Sequence, residues 1–261
     1  IHRKEISFEI DEQKLRGWFY MPSETSSPVA CIIMSNGFGG TIGMVLEQYA
    51  LRFREAGYAV LCYDFRHFGL SDAEPRQYYD MNKQLQDLSG AIEYARSIDE
   101  IDCEKIVLWG TSGSGGYGLI RSALEKDIAC IIGQCPAVDK KADSQAMFER
   151  LGAGPMFRLF VHAQRDKGRA RFGLSPHKIP IAGGSDDFAF FSDDSAVEGY
   201  SKLVSPTFVN EICARMMLDT SSLNPIDFAP DVNCPVMILS CEKDNLVTAS
   251  SHEEAAGILG D

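Results

Sequence analysis

The segment that decides the fold is Gly110-Thr111-Ser112-Gly113-Ser114-Gly115-Gly116. It follows an apolar run over residues 106–109 and precedes a stretch over residues 117–125 that can form a helix. A strand, a very tight turn and a helix in this order make a nucleophile elbow, in which small residues flank the nucleophile at two positions on either side. Gly110 and Ser114 meet this requirement around Ser112. We therefore predict that Ser112 is a nucleophile whose hydroxyl stands clear of a sheet.

Ser114 is a second candidate nucleophile, because Ser112 and Gly116 are also small residues at the required spacing around it. We favour Ser112, since the apolar strand ends at Trp109 and leaves Gly110 as the first residue of the turn. Two alternatives stay open, namely a strand-to-helix turn without chemistry and a phosphate-binding loop. A phosphate-binding loop would require Gly-Lys-Ser/Thr, and this segment contains no lysine.

The composition is ordinary for a globular protein, and its charge argues against several classes of partner. The 261 residues carry 37 acidic and 25 basic side chains, which gives a formal charge of −12. This charge argues against a nucleic acid or an anionic membrane as partner. No apolar run approaches the roughly 20 residues of a membrane span, and no signal peptide is visible. We predict neither a cofactor nor a metal site.

The eight cysteines are scattered through the chain, and no pair has the C-x-x-C spacing of a zinc site. We interpret them as buried free thiols, which is typical of a protein in a reducing cytoplasm.

Strands that are apolar throughout alternate with helices, a pattern that predicts a mostly parallel sheet with helices on both faces. Expected strands include a hairpin over residues 6–20, the elbow strand and a late strand over residues 236–239. Residues 140–215 break the alternation, and we interpret them as an inserted cap. The core would then consist of residues 1–139 and 216–261. Active sites in such sheets lie at the carboxyl ends of the strands.

A serine nucleophile requires a base, an acid that orients the base, and donors for the oxyanion. Asp244 is the best candidate acid, because it follows a late apolar strand and comes after Ser112 in the chain; Glu242 is a nearby competitor. The oxyanion hole should use the backbone N–H of Gly113 and one from the glycine-rich turn at residues 37–40, for which we choose Phe38.

The histidines do not fit the base. His2 and His67 precede the serine, His162 and His177 lie in the expected cap, and His252 follows Asp244 by only eight residues on a predicted helix. A surface or structural role is expected for each of them. We therefore predict that the base lies beyond Asp261.

These features resemble the α/β-hydrolase superfamily, and in particular the branch of fungal polyketide transferases and thiohydrolases with related bacterial hydrolases. The matching stretches are residues 15–22 (LRGWFYMP), 36–40 (NGFGG), 63–72 (YDFRHFGLSD), 74–77 (EPRQ), 109–112 (WGTS), 210–215 (NEICAR) and 242–244 (EKD). The resemblance implies Ser112 as nucleophile and Asp244 as acid. It also implies a further strand, a catalytic histidine and a closing helix after residue 261.

Two residues depart from the family pattern. Asn36 replaces the histidine that is usual before the first glycine of the oxyanion turn, and Gly113 replaces the bulkier residue that usually follows the nucleophile. Both changes leave the backbone donors in place but alter the pocket around them.

The leading hypothesis is acyl transfer from an ester or thioester through an acyl-enzyme on Ser112, with a small-molecule or carrier-bound acyl substrate of polyketide type. A binding protein without catalytic activity and a peptidase-like amide hydrolase are the alternatives. Aromatic and methionine residues of the cap would pack against the core or contact an acyl chain (Met156, Phe157, Phe160, Phe188, Phe190 and Phe191). Basic residues between Arg158 and Arg171 would be solvated or receive a phosphopantetheine carrier. A homodimer is a possible assembly.

Overall fold

Strands and helices alternate through the first half of the chain in the computed structural model, which describes residues 3–23, 28–125, 127–218 and 221–260. In chain order the elements are β1 (Lys4–Ile10), β2 (Gln13–Tyr20), β3 (Val29–Ser35), α1 (Leu46–Glu55), β4 (Ala59–Tyr63), α2 (Met81–Arg96), β5 (Ile101–Thr111), α3 (Gly113–Leu124) and β6 (Ile128–Gln134).

Short strands and longer helices follow β6 before the chain returns to the main sheet. They are α4 (Lys140–Leu151), α5 (Ala153–Arg171), β7 (Lys178–Ile179), β8 (Ala182–Gly183), β9 (Phe191–Ser192), α6 (Asp194–Leu203) and β10 (Ile212–Cys213). Two 3₁₀-helices (Ala214–Met217 and Pro225–Asp231) lead to β11 (Val236–Leu239) and α7 (Ala249–Leu259).

The central sheet has seven strands in the order β1-β2-β4-β3-β5-β6-β11. The pairs from β4 to β11 are parallel, whereas β1 and β2 pair antiparallel with each other and β2 pairs antiparallel with β4. This is the α/β-hydrolase fold with the mostly parallel sheet that the sequence predicts. Parallel pairing brings the carboxyl ends of β3, β5, β6 and β11 to one edge, where the loops that follow them meet.

Side chains of the inner strands enter two separate cores, one on each face of the sheet. Ile33 of β3 belongs to one core, and its neighbours Ile32 and Met34 belong to the other. This division follows from the two-residue period of a strand and explains why β3 is apolar at every buried position from Cys31 to Met34. Leu46 of α1 packs into one core and Leu88 of α2 into the other, so helices cover both faces.

Residues from Lys140 to Cys213 contribute no strand to the central sheet among those that the structure describes. The division of the chain into a core and a cap at residues 140 and 215 stays a prediction. Within the described ranges, no helix is long and apolar enough to cross a membrane.

Candidate active site

Ser112 occupies a sharp turn between β5 and α3, with φ 52° and ψ −126°. Positive φ is unfavourable for a residue that has a β-carbon, so the surrounding structure must hold this conformation. The Ser112 N–H donates to the Gln134 carbonyl at 3.0 Å, and the Ser112 carbonyl accepts from Gly115 at 3.0 Å and Ala137 at 2.9 Å. The end of β6 and the loop after it therefore fix the turn from one side.

The small residues around Ser112 are required by close backbone approach. A β-carbon at Gly110 would lie 2.5 Å from the carbonyl carbon and oxygen of Ser114, and one at Gly116 would lie 2.3 Å from the Ala137 carbonyl oxygen. The strand extends through Gly110 to Thr111, so the prediction that Gly110 begins the turn is wrong. Continued pairing of Gly110 with β3 and β6 explains the longer strand.

Ser114 is buried in the first turn of α3, and its hydroxyl is committed to the backbone. Its Oγ accepts from the Thr111 N–H at 3.0 Å and lies 2.8 Å from the Ser35 carbonyl oxygen. Ser114 thus ties the start of α3 to the ends of β5 and β3. Of the two candidate nucleophiles, Ser112 is the one that lines the adjacent cavity.

A cavity of about 320 Å³ lies at the carboxyl ends of the strands, where it is bounded by loops of the core and by α6. Ser112, Phe38 and Asp244, which the sequence places far apart, all line it. The other lining residues are Asn36, Gly37, Gly40, Met44, Thr111, Cys135, Phe191, Ser195, Ala196, Gly199, Tyr200, Leu203, Asn245, Leu246 and Val247.

The glycine-rich turn after β3 packs directly against the elbow. A β-carbon at Gly37 would lie 3.0 Å from the Ser112 β-carbon, and the Gly40 N–H donates to the Gly37 carbonyl at 3.1 Å. Asn36, which departs from the family pattern, donates its side-chain amide to the Thr41 carbonyl. Asn36 therefore stabilises the turn through a hydrogen bond between its side chain and the backbone of the same turn.

Two backbone amides beside Ser112 are available to a ligand. In the part of the chain that the structure describes, the N–H groups of Phe38 and Gly113 have no protein acceptor. Gly113 is the first residue of α3, where the helix dipole favours negative charge. The Phe38 carbonyl is held by the Tyr200 hydroxyl, which donates to it at 3.0 Å.

Asp244 lies in the loop after β11 and is half-buried. Its Oδ1 accepts from the N–H groups of Leu246 at 2.8 Å and Val247 at 3.1 Å, which holds the carboxylate in place. Burial raises the pKa of Asp143 to about 6, and the nearby Asp244 charge acts in the same direction. Glu242, the competing acid, is exposed and does not line the cavity.

The histidines of the cap bond to each other. His162 Nδ1 and His177 Nε2 lie 2.7 Å apart, and the His162 ring contacts the Phe188 ring. Burial, followed by the neighbouring Arg158 charge, lowers the pKa of His162; burial and then the Arg165 charge lower that of His177.

The core histidines are also engaged away from the cavity. His67 Nδ1 lies 3.1 Å from the Pro75 carbonyl oxygen, and burial lowers the pKa of His67 to about 4. His252 is buried and uses both ring nitrogens, on Ser240 at 2.7 Å and on the Pro136 carbonyl at 2.8 Å. Among the described residues, then, no histidine is hydrogen-bonded to Ser112. His2 and Asp261 lie outside the described residues.

The basic residues of α5 lie away from the cavity. Arg158 packs over the Phe188 ring at 4.8 Å, and Arg169 donates to the Ser175 carbonyl at 2.7 Å. As far as the chain is described, none of the basic residues between Arg158 and Arg171 lines the cavity. The carrier hypothesis for this cluster therefore gains no support from the cavity.

The apolar residues of the cap divide between exposed positions and internal packing. Phe157 and Phe160 are exposed, and Phe190 stacks on Phe38 at 4.9 Å. Of the six cap residues that the sequence singles out, Phe191 lines the cavity. Tyr200 also lines it and was missed, because no local motif marks a residue whose position depends on how the cap packs.

The prediction of buried thiols is only partly right. Cys31, Cys62 and Cys213 are buried, whereas Cys103 and Cys241 are exposed. All eight cysteines are free. Cys103 lies in the exposed first half of β5 and Cys241 in the loop after β11, both outside the apolar runs that predict burial.

Comparison with known proteins identifies the family. Residues 26–260 match the model of the family described as serine aminopeptidase, S33. The chain is 34% identical over 252 residues to the quorum-quenching protein AidA of Acinetobacter baumannii. This match covers 95% of this chain and 80% of that protein. It is 27% identical over 265 residues to the thiohydrolase apmlB of Arthrinium phaeospermum, with coverages of 96% and 83%.

Solved structures share the fold. The α/β hydrolase GrgF from Penicillium superposes with a TM-score of 0.80 at 24% identity and covers 98% of this chain and 85% of its own. DcsB, solved in complex with its substrate analogue, gives a TM-score of 0.83 at 22% identity, with coverages of 98% and 86%. Membership in a hydrolase family whose relatives carry enzyme names supports a hydrolase or acyltransferase. The chain belongs to the serine aminopeptidase S33 family of α/β hydrolases.

Proposed function

We propose that the protein is a serine hydrolase or acyltransferase that acts on an ester or thioester through an acyl-enzyme on Ser112. The observation that carries this proposal is the cavity lined by both Ser112 and Asp244, beside the Phe38 and Gly113 amides, which have no acceptor among the described residues. A hydroxyl that lines the cavity on a strained turn, a carboxylate held by loop amides and nearby backbone donors are parts that acyl transfer requires, together with a base.

In this mechanism the Ser112 oxygen attacks the acyl carbon while a base accepts its proton. The carbonyl oxygen becomes negative in the tetrahedral intermediate and would be stabilised by the Phe38 and Gly113 N–H groups. The intermediate expels the alcohol or thiol, which takes up the proton and leaves the acyl group on Ser112. Water or another acceptor then removes the acyl group.

The substrate class is part of the proposal. Relatives named as a thiohydrolase and a polyketide transferase favour an acyl thioester or ester of polyketide type, with a small molecule or a carrier as leaving group. The mixture of Phe191, Leu203 and Met44 with small residues gives the cavity a largely apolar wall for an acyl chain.

A fluorophosphonate probe on the full chain tests the nucleophile. We expect the probe to form one adduct, located on Ser112 by peptide mass spectrometry, and we expect Ser112→Ala to abolish it. Ser114→Ala is the matched control and should keep the adduct. An adduct that is lost in Ser114→Ala and kept in Ser112→Ala would refute the assignment.

A binding protein without catalytic activity is the second candidate, because no described histidine is hydrogen-bonded to Ser112. A panel of esters, thioesters and aminoacyl amides separates the candidates. Turnover of esters or thioesters supports the first proposal, and preferential turnover of amides supports a peptidase. Binding of an acyl ligand with no turnover of any substrate and no fluorophosphonate adduct supports the second candidate.

A further inference from the structure

Two tyrosine hydroxyls and a glutamine amide form a hydrogen-bonded chain behind the elbow. The hydroxyls of Tyr79 and Tyr117 lie 2.6 Å apart, and Tyr117 donates to the Gln84 side-chain carbonyl at 2.9 Å. Because the Tyr117 proton is used on Gln84, Tyr79 is the donor in the bond between the tyrosines. This hydrogen-bonded network connects the segment before α2 with α3 and α2.

Tyr79 packs on Phe38 and lies close to Gly113, the two residues whose amides have no protein acceptor among the described residues. Its ring packs on the Phe38 ring at a centroid distance of 5.0 Å. Its hydroxyl lies beside Gly113, since a β-carbon at that position would be 3.7 Å from the Tyr79 oxygen and 3.9 Å from the Tyr117 oxygen. One side chain therefore packs on the turn after β3 and lies next to the first residue of α3.

We propose that Tyr79 is a positioning residue that fixes the spacing between the Phe38 and Gly113 amides, and that Tyr79 and Tyr117 together set the size allowed for the side chain after the nucleophile. This inference rests on the proposed function, in which the two amides form the oxyanion hole. An oxyanion hole depends on donors held at their final positions before the charge develops, so a side chain that packs on one donor residue and lies next to the other can control the rate.

The surroundings keep the tyrosine pair neutral and ordered. Burial raises the pKa of Tyr79 and places that of Tyr117 well above its usual value, so both phenols keep their protons at neutral pH. Tyr117 and Gln84 are also buried, which restricts their rotamers. A hydrogen-bonded network whose Tyr117 and Gln84 members are buried rigidifies the residues that it joins.

The two tyrosine hydroxyls limit the space for a side chain at Gly113. A β-carbon there would make ordinary contacts with the two hydroxyls, so alanine fits without displacement. A longer side chain would extend towards the same oxygens and would have to move them. The departure of Gly113 from the bulkier family residue is thus explained by the tyrosine pair, which occupies the adjacent space.

The test compares Tyr79→Phe with Tyr94→Phe in the full chain. Tyr79→Phe keeps the ring on Phe38 and removes the hydroxyl, whereas the Tyr94 ring stacks on Phe8 and is a control outside the network. We expect Tyr79→Phe to lower kcat for a p-nitrophenyl ester and the rate of fluorophosphonate labelling by roughly tenfold, below the 10²-fold or greater loss of a whole donor. KM should stay within about twofold, and Tyr94→Phe should leave both rates unchanged.

Binding of a boronic acid, which mimics the tetrahedral intermediate, separates positioning from folding. We expect Tyr79→Phe to weaken the binding of the boronic acid by about the factor by which it lowers kcat. The active fraction, titrated by complete labelling with the fluorophosphonate, should stay constant. Gly113→Gln, whose side chain would start 3.7 Å from the Tyr79 oxygen and 3.9 Å from the Tyr117 oxygen, should lose at least tenfold in kcat. Labelling of Ser112 at an unchanged rate in Tyr79→Phe would overturn only the positioning role. Absence of labelling in wild type would overturn the proposed function itself.

Discussion

Replacing Ser112 by glycine should stabilise the protein while it removes the nucleophile. Ser112 has φ 52° and ψ −126°, a conformation that a side chain with a β-carbon rarely adopts. Such a conformation costs roughly 1–3 kcal/mol, and glycine adopts it without that strain. Glycine also increases the entropy of the unfolded chain, which opposes the gain by about 0.4–1 kcal/mol.

The expected net effect of Ser112→Gly is an increase of about 1–2 kcal/mol in the free energy of unfolding. At this chain length the increase corresponds to a rise in Tm of roughly 2–8 °C, from about 2–4 °C per kcal/mol. Ser112→Ala keeps the β-carbon and therefore the strain, so its stability should stay within about 0.5 kcal/mol of wild type. The difference between the two variants isolates the strain from the loss of the hydroxyl.

Urea unfolding followed by linear extrapolation measures these differences, with calorimetry as a second readout. Ser97 provides a matched site, because it has ordinary helical backbone at φ −80° and ψ −5°. Ser97→Gly should have a free energy of unfolding about 0.5–1 kcal/mol lower than Ser97→Ala, which is the opposite of the order expected at Ser112. Ser112→Gly equal to or less stable than Ser112→Ala would refute the claim that the elbow is strained.

Three further outcomes follow from the site and the cap. Asp244→Asn should lower kcat by roughly 10³–10⁴-fold in an ester assay, with little change in Tm, because asparagine still accepts the two loop amides. Gly110→Ala should lower the free energy of unfolding in urea by about 1–3 kcal/mol, since its β-carbon would lie 2.5 Å from the Ser114 backbone. The lowered pKa values of His162 and His177 mean that the unfolded chain binds more protons than the folded one just below pH 6.5, so their contribution to stability is complete above that pH and is lost as the pH falls. The decrease in Tm between pH 7.5 and 5.5 should therefore be smaller in His177→Asn, and an equal decrease would contradict this reasoning.

The sheet could be predicted from the sequence because its signals are local. Continuous apolar runs define the inner strands, and β11 and α7 begin and end where the pattern predicts. The first half of β5 was missed, because residues 102–105 are polar and mostly exposed. They extend the strand only through an irregular pairing with β3, in which Val29 lies opposite Ile101 and Cys31 opposite Ile106. A pairing of this kind produces no hydrophobic period in the sequence from which the strand could be predicted.

The cap is less predictable for the same physical reason. α4 has no buried residue, so its sequence carries no apolar stripe that would fix which face packs inward. α6 likewise buries no residue fully, yet it contributes Tyr200 to the cavity. Which residues of the cap reach the site is decided by packing between segments and not by the segments themselves.

The turn after β3 depends both on its local sequence and on contacts with distant segments of the chain. Its glycines and its place at the end of a strand predict an oxyanion turn without any structural knowledge. Its position in space, however, is set from the cap, since Tyr200 donates to the Phe38 carbonyl across 162 positions of the chain and Ser205 contacts the Thr41 hydroxyl at 3.0 Å. The free Phe38 amide is thus part of a peptide segment that the cap holds on its carbonyl side. Local sequence identifies the donors, and contacts between distant segments determine where those donors point.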